Sequence, residues 1–430
     1  MQCRNLDFSK QSSPTTRSVS VPRYKRRAGR AVSSYASPKR GSFSSSLSAM
    51  RTTWLPILAA AAAALCCLGT AARASGQCKF AAVFNFGDSN SDTGGFWAAF
   101  PAQQAPFGMT YFRRPVGRAS DGRLVIDFLV QAMGLPLLSP YLQSVGSDYR
   151  HGANFATLAS TALQPNTSLF VTGTSPFFLG VQLNQLKHLR SKVLTSNGKN
   201  GRLPAPDVLR NSLYTIDIGQ NDLTSNLGSQ NIETVKQSLP SVVSQISSAV
   251  QELYNIGARN IMVFNMAPIG CYPAFLTKLP HSSNDMDGYG CMKTYNSAVI
   301  YYNELLNTSL AEVRKKLQDA SIVYADKHTV MLELFRHPEA HGLKYASKAC
   351  CGHGDGAYNF NPEVYCGSSK ILNGQTTTAK ACADPKNYVS WDGIHTTEAA
   401  NKIIASSLMS GSYSYPPFDL SKLCHLQHKG

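Results

Sequence analysis

The chain has 430 residues and a net charge of +16, from 41 Lys and Arg against 25 Asp and Glu. Most of that excess sits at the amino terminus: without residues 1–74 the chain keeps 29 basic and 24 acidic residues, a net charge of +5. So mild a balance gives no reason to expect a nucleic-acid partner, although it would tolerate an acidic wall or membrane surface.

Residues 1–49 carry ten basic residues and one acid, are rich in Ser and poor in large apolar side chains, and read as a disordered basic extension. Met50-Arg51 then opens an export signal. Trp54 to Leu68 is apolar, and Ala72-Arg73-Ala74 is a small-residue cleavage site, so cleavage is expected after Ala74, leaving Ser75 first. The apolar stretch is shorter than the roughly 20 residues that span a bilayer, so no stable membrane span is expected. The first 49 residues fit either an upstream extension, with translation from Met50, or an organelle transit peptide. A second complete signal beginning at a methionine favours the first. Residues 75–430 show no linker, shift of composition or internal repeat, and read as one catalytic domain.

Apolar strand candidates within it are Phe80–Phe86, Ala153–Ala156, Leu213–Ile218, Ile261–Met266 and Ile322–Ala325. Helical patterns cover Arg123–Met133, Val181–Leu194, Ile232–Ile256 and Tyr295–Leu317, and Thr397–Leu408 ends the fold. Strands alternating with helices imply an α/β fold whose parallel sheet is covered on both faces.

Three strand or helix edges carry chemistry. The first strand breaks into Gly87-Asp88-Ser89, which sets a hydroxyl at the carboxyl end of a sheet, where open α/β folds build their sites. The third ends in Gly219-Gln220-Asn221-Asp222, and Asn221 offers an amide donor at the same edge, suited to an oxyanion. Far downstream, Asp392 precedes His395 by three residues, close enough to hold the imidazole from one side and leave its other nitrogen free to take a proton from Ser89. Taken singly, Gly-Asp-Ser reads as a plain turn and Asp392 or Asn221-Asp222 as a helix cap. All three in this order favour a serine nucleophile. No Gly-x-Ser-x-Gly elbow occurs, which argues against the common α/β-hydrolase lipases.

These blocks resemble the plant-type GDSL esterase/lipase family of the SGNH hydrolases, over Lys79 to Ser410. The first block matches Phe86 to Gly94, the second Gly152 to Thr161, the third Gly219 to Asp222 and the fifth Asp392 to His395. The resemblance implies a three-layer αβα sandwich on a flavodoxin-like, five-stranded parallel sheet. It makes Ser89 the nucleophile, His395 the base and Asp392 its orienter. The oxyanion hole would be lined by Ser89 N–H, the Asn221 side chain and the N–H of Ala159, which stands where the family usually has glycine. No metal or organic cofactor is implied.

Cys78, Cys271, Cys291, Cys350, Cys351, Cys366, Cys382 and Cys424 remain after cleavage, an even set that can all pair in an oxidising compartment, with connectivity open. Cys350, Cys351, Cys366 and Cys382 cluster in a Gly-, Asn- and Pro-rich loop as a local staple. Asn166-Thr167-Ser168 and Asn307-Thr308-Ser309 are glycosylation acceptors in an exported chain. The loop Trp97–Gly122 carries Phe100, Phe107, Tyr111, Phe112, Arg113, Arg114 and Arg118, and reads equally as a cleft wall or a plain surface loop. The expectation is a monomeric enzyme of the secretory pathway, in the cell wall or the Golgi lumen. It would remove acyl groups, chiefly acetyl, from wall polysaccharide such as xylan. The alternative is a short-chain acyl esterase or lipase on lipids or small metabolites, choline esters included.

Overall fold

The computed structural model describes residues 78–166, 174–196, 200–354 and 356–424. The basic extension and export signal expected over residues 1–74 lie outside them.

Five parallel strands form the centre: β1 (Val83–Gly87), β2 (Gly152–Asn154), β3 (Leu213–Asp217), β4 (Asn260–Phe264) and β5 (Ser321–Ala325). They lie in the order β2-β1-β3-β4-β5, and a two-residue strand β6 (Ser414–Tyr415) adds antiparallel to β5. This is the flavodoxin-like order, in which the chain reverses its direction of travel between β1 and β3 and opens a crevice at their carboxyl ends. Every residue of β1 to β4 is buried, because helices cover both faces; that is why these strands read as apolar runs without alternation. The edge strand β6 is unforeseen, since two residues are too few to set a period.

The helices of five residues or more among the described residues are α1 (Gly95–Ala99), α2 (Val125–Ala132), α3 (Leu179–Ser196), α4 (Gln220–Thr224), α5 (Ile232–Lys236), α6 (Leu239–Asn255), α7 (Pro273–Lys278), α8 (Lys293–Lys316), α9 (Lys327–Arg336) and α10 (Glu398–Met409). In one layer α3 and α8 pack against α6; in the other α2 and α9 pack against α10. The single helix expected over Ile232–Ile256 is two, α5 and α6. Pro240 stands in the first turn of α6, where its missing N–H costs nothing, and its ring excludes a continuous helix through residue 236. No helix among the described residues is long and apolar enough to cross a membrane.

The fold does not end at α10. The chain runs on through β6 to Cys424, which pairs with Cys78 ahead of β1. The other pairs are Cys271–Cys291, Cys350–Cys382 and Cys351–Cys366, so the clustered four are indeed stapled within their own loop.

Candidate active site

The three edges named from the sequence converge. Ser89 follows the end of β1, and its Oγ lies 2.8 Å from His395 Nε2. The other ring nitrogen, Nδ1, lies 2.7 Å from Asp392 Oδ2. The second Asp392 oxygen accepts the backbone N–H groups of Ile394 and His395 at 3.0 and 2.8 Å, which folds the segment into a tight loop and fixes the carboxylate beside the ring. Burial alone would raise the Asp392 carboxyl, but the adjoining imidazole and these hydrogen bonds hold it below the usual carboxylate range. Burial likewise opposes an imidazolium at His395; the Asp392 carboxylate overcomes this and, helped by Asp88, keeps the ring more basic than usual.

The loop that carries Asp392 and His395 is braced from behind. Cys350 N–H donates to Ser390 C=O at 3.0 Å, Cys351 N–H to Trp391 C=O at 2.6 Å, and Trp391 N–H to His395 C=O at 2.7 Å. The two disulfides of the vicinal cysteines therefore grip the strand-like run just before Asp392. Trp391 is 1% exposed, and Phe107 of the 97–122 loop meets it edge to face at 5.9 Å. That loop also donates from Ser120 Oγ to Thr396 C=O and accepts Glu398 N–H at Asp121, so it walls the Asp-His loop. Its Arg118 does not face solvent: it is buried on Asp127 and donates to Thr93 C=O.

The turn after β1 is held by groups the sequence reading passed over. Asp92 accepts the N–H groups of Gly94, Gly95 and Phe96, which starts α1, and that of Leu158 at 2.8 Å, which draws in the loop after β2. Asn85 and Asn154, side by side in β1 and β2, are linked by a 2.8 Å hydrogen bond and both donate to Ser91. Polar residues inside apolar strands are the one sign of them in the sequence.

Ala159, in the loop after β2, has φ of 63°, the left-handed conformation that favours glycine. Its N–H and that of Ser89 make no hydrogen bond to any described residue. On the far side of the crevice, after β3, Asn221 Nδ2 donates to Ser160 C=O at 2.9 Å and makes a longer contact, 3.3 Å, with Asp88 Oδ2. Ala159, Ser89 and Asn221 thus stand in the segments that follow β2, β1 and β3, at the carboxyl edge of the sheet. Asp222 accepts Ala162 and Leu163 N–H, fastening α4 to the loop after β2. Beneath Ser89, Asp88 is 1% exposed; its burial, and the neighbouring Asp217, push its pKa up to about 6. Asp217 is itself paired with Lys327, at 2.5 and 2.7 Å to its two oxygens.

Of the two sequon asparagines, Asn166 is exposed, with Thr167 and Ser168 outside the described residues, and Asn307 is half-buried in the middle of α8.

The model of the GDSL-like lipase/acylhydrolase family matches residues 83–408. A GDSL esterase/lipase of Arabidopsis thaliana is 57% identical over 352 residues, covering 81% of this chain and 92% of its own. A second Arabidopsis relative, named alpha-L-fucosidase 3, is 41% identical over 357 residues, covering 82% of this chain and 94% of its own. Among solved structures, an acetyl-xylooligosaccharide esterase from Geobacillus superposes with a TM-score of 0.29 at 13% identity, over 61% of this chain and 85% of its own.

Proposed function

The chain belongs to the GDSL-like lipase/acylhydrolase family and is a carboxylic ester hydrolase, and from that premise we propose that Ser89 is its nucleophile, His395 the base and Asp392 the carboxylate that orients it. The observation that carries this is the unbroken chain Ser89 Oγ, His395 Nε2, His395 Nδ1, Asp392 Oδ2, with contacts of 2.8 and 2.7 Å. His395 takes the Ser89 proton as Oγ attacks the ester carbonyl, then returns it to the leaving alcohol. Water, deprotonated by the same ring, clears the acyl-enzyme. The oxyanion takes its hydrogen bonds from Ser89 N–H, Ala159 N–H and the Asn221 amide. Asn221 gives up its long contact with Asp88 for the oxyanion, while the 2.9 Å bond to Ser160 keeps the group aimed.

For the substrate we infer a small acyl group, acetyl first, on a wall polysaccharide such as xylan. Supporting this, Phe107 joins the 97–122 loop to Trp391 beside Asp392, and the same loop carries exposed Tyr111, an aromatic ring of the kind that packs on sugar faces, and exposed Arg113 and Arg114, whose guanidinium groups donate hydrogen bonds to sugar oxygens. A relative named for a sugar hydrolase points the same way. Export supports the wall assignment: all eight cysteines of the described residues are paired, as suits an oxidising compartment. Signal cleavage after Ala74 and glycosylation at Asn166 and Asn307 belong to this reading. The test is acetate release from native acetylated xylan by the full chain expressed in a eukaryotic secretory host. Release of acetate at a rate comparable to hydrolysis of p-nitrophenyl acetate is expected. No acetate, with good hydrolysis of longer acyl esters, replaces this substrate by lipids or small metabolites.

A further inference from the structure

Gln182 lies on α3, is 0% exposed, and is far in sequence from every catalytic block. Its side chain nevertheless meets the residue two before the nucleophile. Its Oε1 accepts Gly87 N–H at 2.9 Å, and its Nε2 donates to Gly87 C=O at 2.8 Å and to Phe177 C=O at 2.9 Å.

The reason lies in the ladder between β1 and β2. That ladder pairs Val83 with Gly152, Phe84 with Ala153 and Asn85 with Asn154, then stops. In a continuing parallel ladder Gly87 N–H would reach the C=O of Phe155. The chain after β2 leaves the sheet at that point, towards Thr157 and Ala159, and only a 3.3 Å bond from Thr157 N–H still reaches Gly87 C=O. Two buried backbone groups at the root of the Ser89 turn would go unpaired or poorly paired. The primary amide of Gln182 supplies both a donor and an acceptor, as a peptide unit would, and takes the vacated place in the ladder. Gly87 itself has no room to be replaced: a Cβ there would stand 2.4 Å from Asp217 O and 2.5 Å from Ser91 Oγ. The same amide reaches Phe177 C=O, which also accepts Ser160 Oγ at 2.8 Å, one residue past Ala159.

We propose that Gln182 is a positioning residue for hydrolysis: it wedges the splayed ends of β1 and β2 at a fixed spacing and so sets the Ser89 turn against the Ala159 loop, the two backbone donors of the oxyanion site. The inference rests on Ser89 being the nucleophile. Gln182 touches no substrate. It acts through the placement of Gly87 and Ser160, and the attack geometry is most sensitive to that placement, since displacement of about 1 Å can cost about a hundredfold in rate.

The experiment compares four forms of the full chain on p-nitrophenyl acetate: wild type, Gln182→Leu, Leu186→Ala and Ser89→Ala. Leu186 is a buried core residue one turn further along α3 and serves as a control for destabilisation of that helix. In folded Gln182→Leu, kcat is expected to fall about ten- to hundredfold with KM within about twofold, because the acyl-transfer geometry is lost while the cleft is not. Leu186→Ala is expected to lower the thermal midpoint yet keep kcat within about twofold. Gln182→Leu that keeps wild-type kcat overturns the proposal, as does an equal kcat loss in Leu186→Ala. Should Gln182→Leu fail to fold, Gln182→Met at permissive temperature carries the same comparison. Ser89→Ala separates the two levels: full activity there overturns the nucleophile itself, whereas an inactive Ser89→Ala beside a normal Gln182→Leu overturns only the role of Gln182.

Discussion

Ser89 and His395 stand 306 residues apart in the chain and 2.8 Å apart in space, and the segment that brings them together is braced by two disulfides rather than by the sheet. That arrangement makes the proposed nucleophile and the proposed base separately vulnerable. Ser89 depends on the β1 edge, and His395 on a loop held by Cys350 and Cys351.

The first prediction concerns that brace. The Cys351–Cys366 bond closes a loop of sequence separation 15, worth about 3 kcal/mol by loop-closure entropy. The double variant Cys351→Ser, Cys366→Ser is expected to lose kcat on p-nitrophenyl acetate by about tenfold or more, because Asp392 and His395 lose their backing. Circular dichroism of the folded protein should stay unchanged, since no strand of the central sheet depends on that bond. Unaltered kcat in the double variant would show that the brace is not needed for catalysis.

Asp392→Asn removes the charge that orients and stabilises His395. A loss of about 10⁴-fold in kcat is expected, as for other Ser-His-Asp sites. The pH dependence has a definite sign. The base must be neutral to act, and Asp392 and Asp88 hold its pKa above the ordinary 6.5. Wild-type kcat/KM should therefore rise with pH through a limb lying above 6.5, and that limb should move to lower pH in Asp392→Asn. Stability runs the other way. The raised His395 pKa stabilises the fold below the unfolded value and is lost as pH rises through the folded one. The lowered Asp392 pKa stabilises above its unfolded value and is lost as pH falls through its folded one. A kcat/KM profile flat from pH 5 to 9 would contradict the assignment.

Ala159 holds φ of 63° without the freedom of glycine. An L-residue pays roughly 1–2 kcal/mol there, partly offset by the greater unfolded-state entropy of glycine. Ala159→Gly should raise stability to urea by up to about 1 kcal/mol and keep kcat within about twofold, because the N–H offered to the oxyanion is the same. A loss of activity above tenfold would mean that the alanine methyl itself touches substrate.

Lys327 and Asp217 form a buried ion pair, their side chains 6% and 12% exposed. Removing one charge strands the other, so Lys327→Met should destabilise by about 3–5 kcal/mol in chemical denaturation. Adding Asp217→Asn to Lys327→Met should recover a large part of that. No recovery in the double variant would mean that the pair matters through packing and not through charge.

The sequence was legible where a residue's role is local. Asp392 and His395 lie three residues apart, and the apolar strands announced themselves as unbroken runs because both faces of the sheet are covered. It was silent where a partner is set by topology. Asn85 and Asn154 are 69 residues apart and Asp217 and Lys327 are 110 apart; a periodicity reading treats Asn85, Asn154 and Asp217 as interruptions of apolar runs, and Lys327 falls outside every element expected from the sequence. Gln182 is the sharpest case: it looks like one more polar residue on an amphipathic helix, and only the parting of β1 from β2 gives it work. Arg118 erred in the other direction. In sequence it stands with Arg113 and Arg114 on an aromatic loop, but its guanidinium is buried on Asp127 and is not available to a substrate.

The claim on which the rest depends is that hydrolysis passes through a covalent bond to Ser89. Peptide mapping by mass spectrometry after treatment with a serine-directed alkyl phosphonate tests it most directly. One adduct per chain on Ser89, forming as p-nitrophenyl acetate turnover disappears and absent from an inactive but folded Ser89→Ala, is the predicted result. Inhibition with an adduct on another residue, or turnover retained in Ser89→Ala, would contradict it.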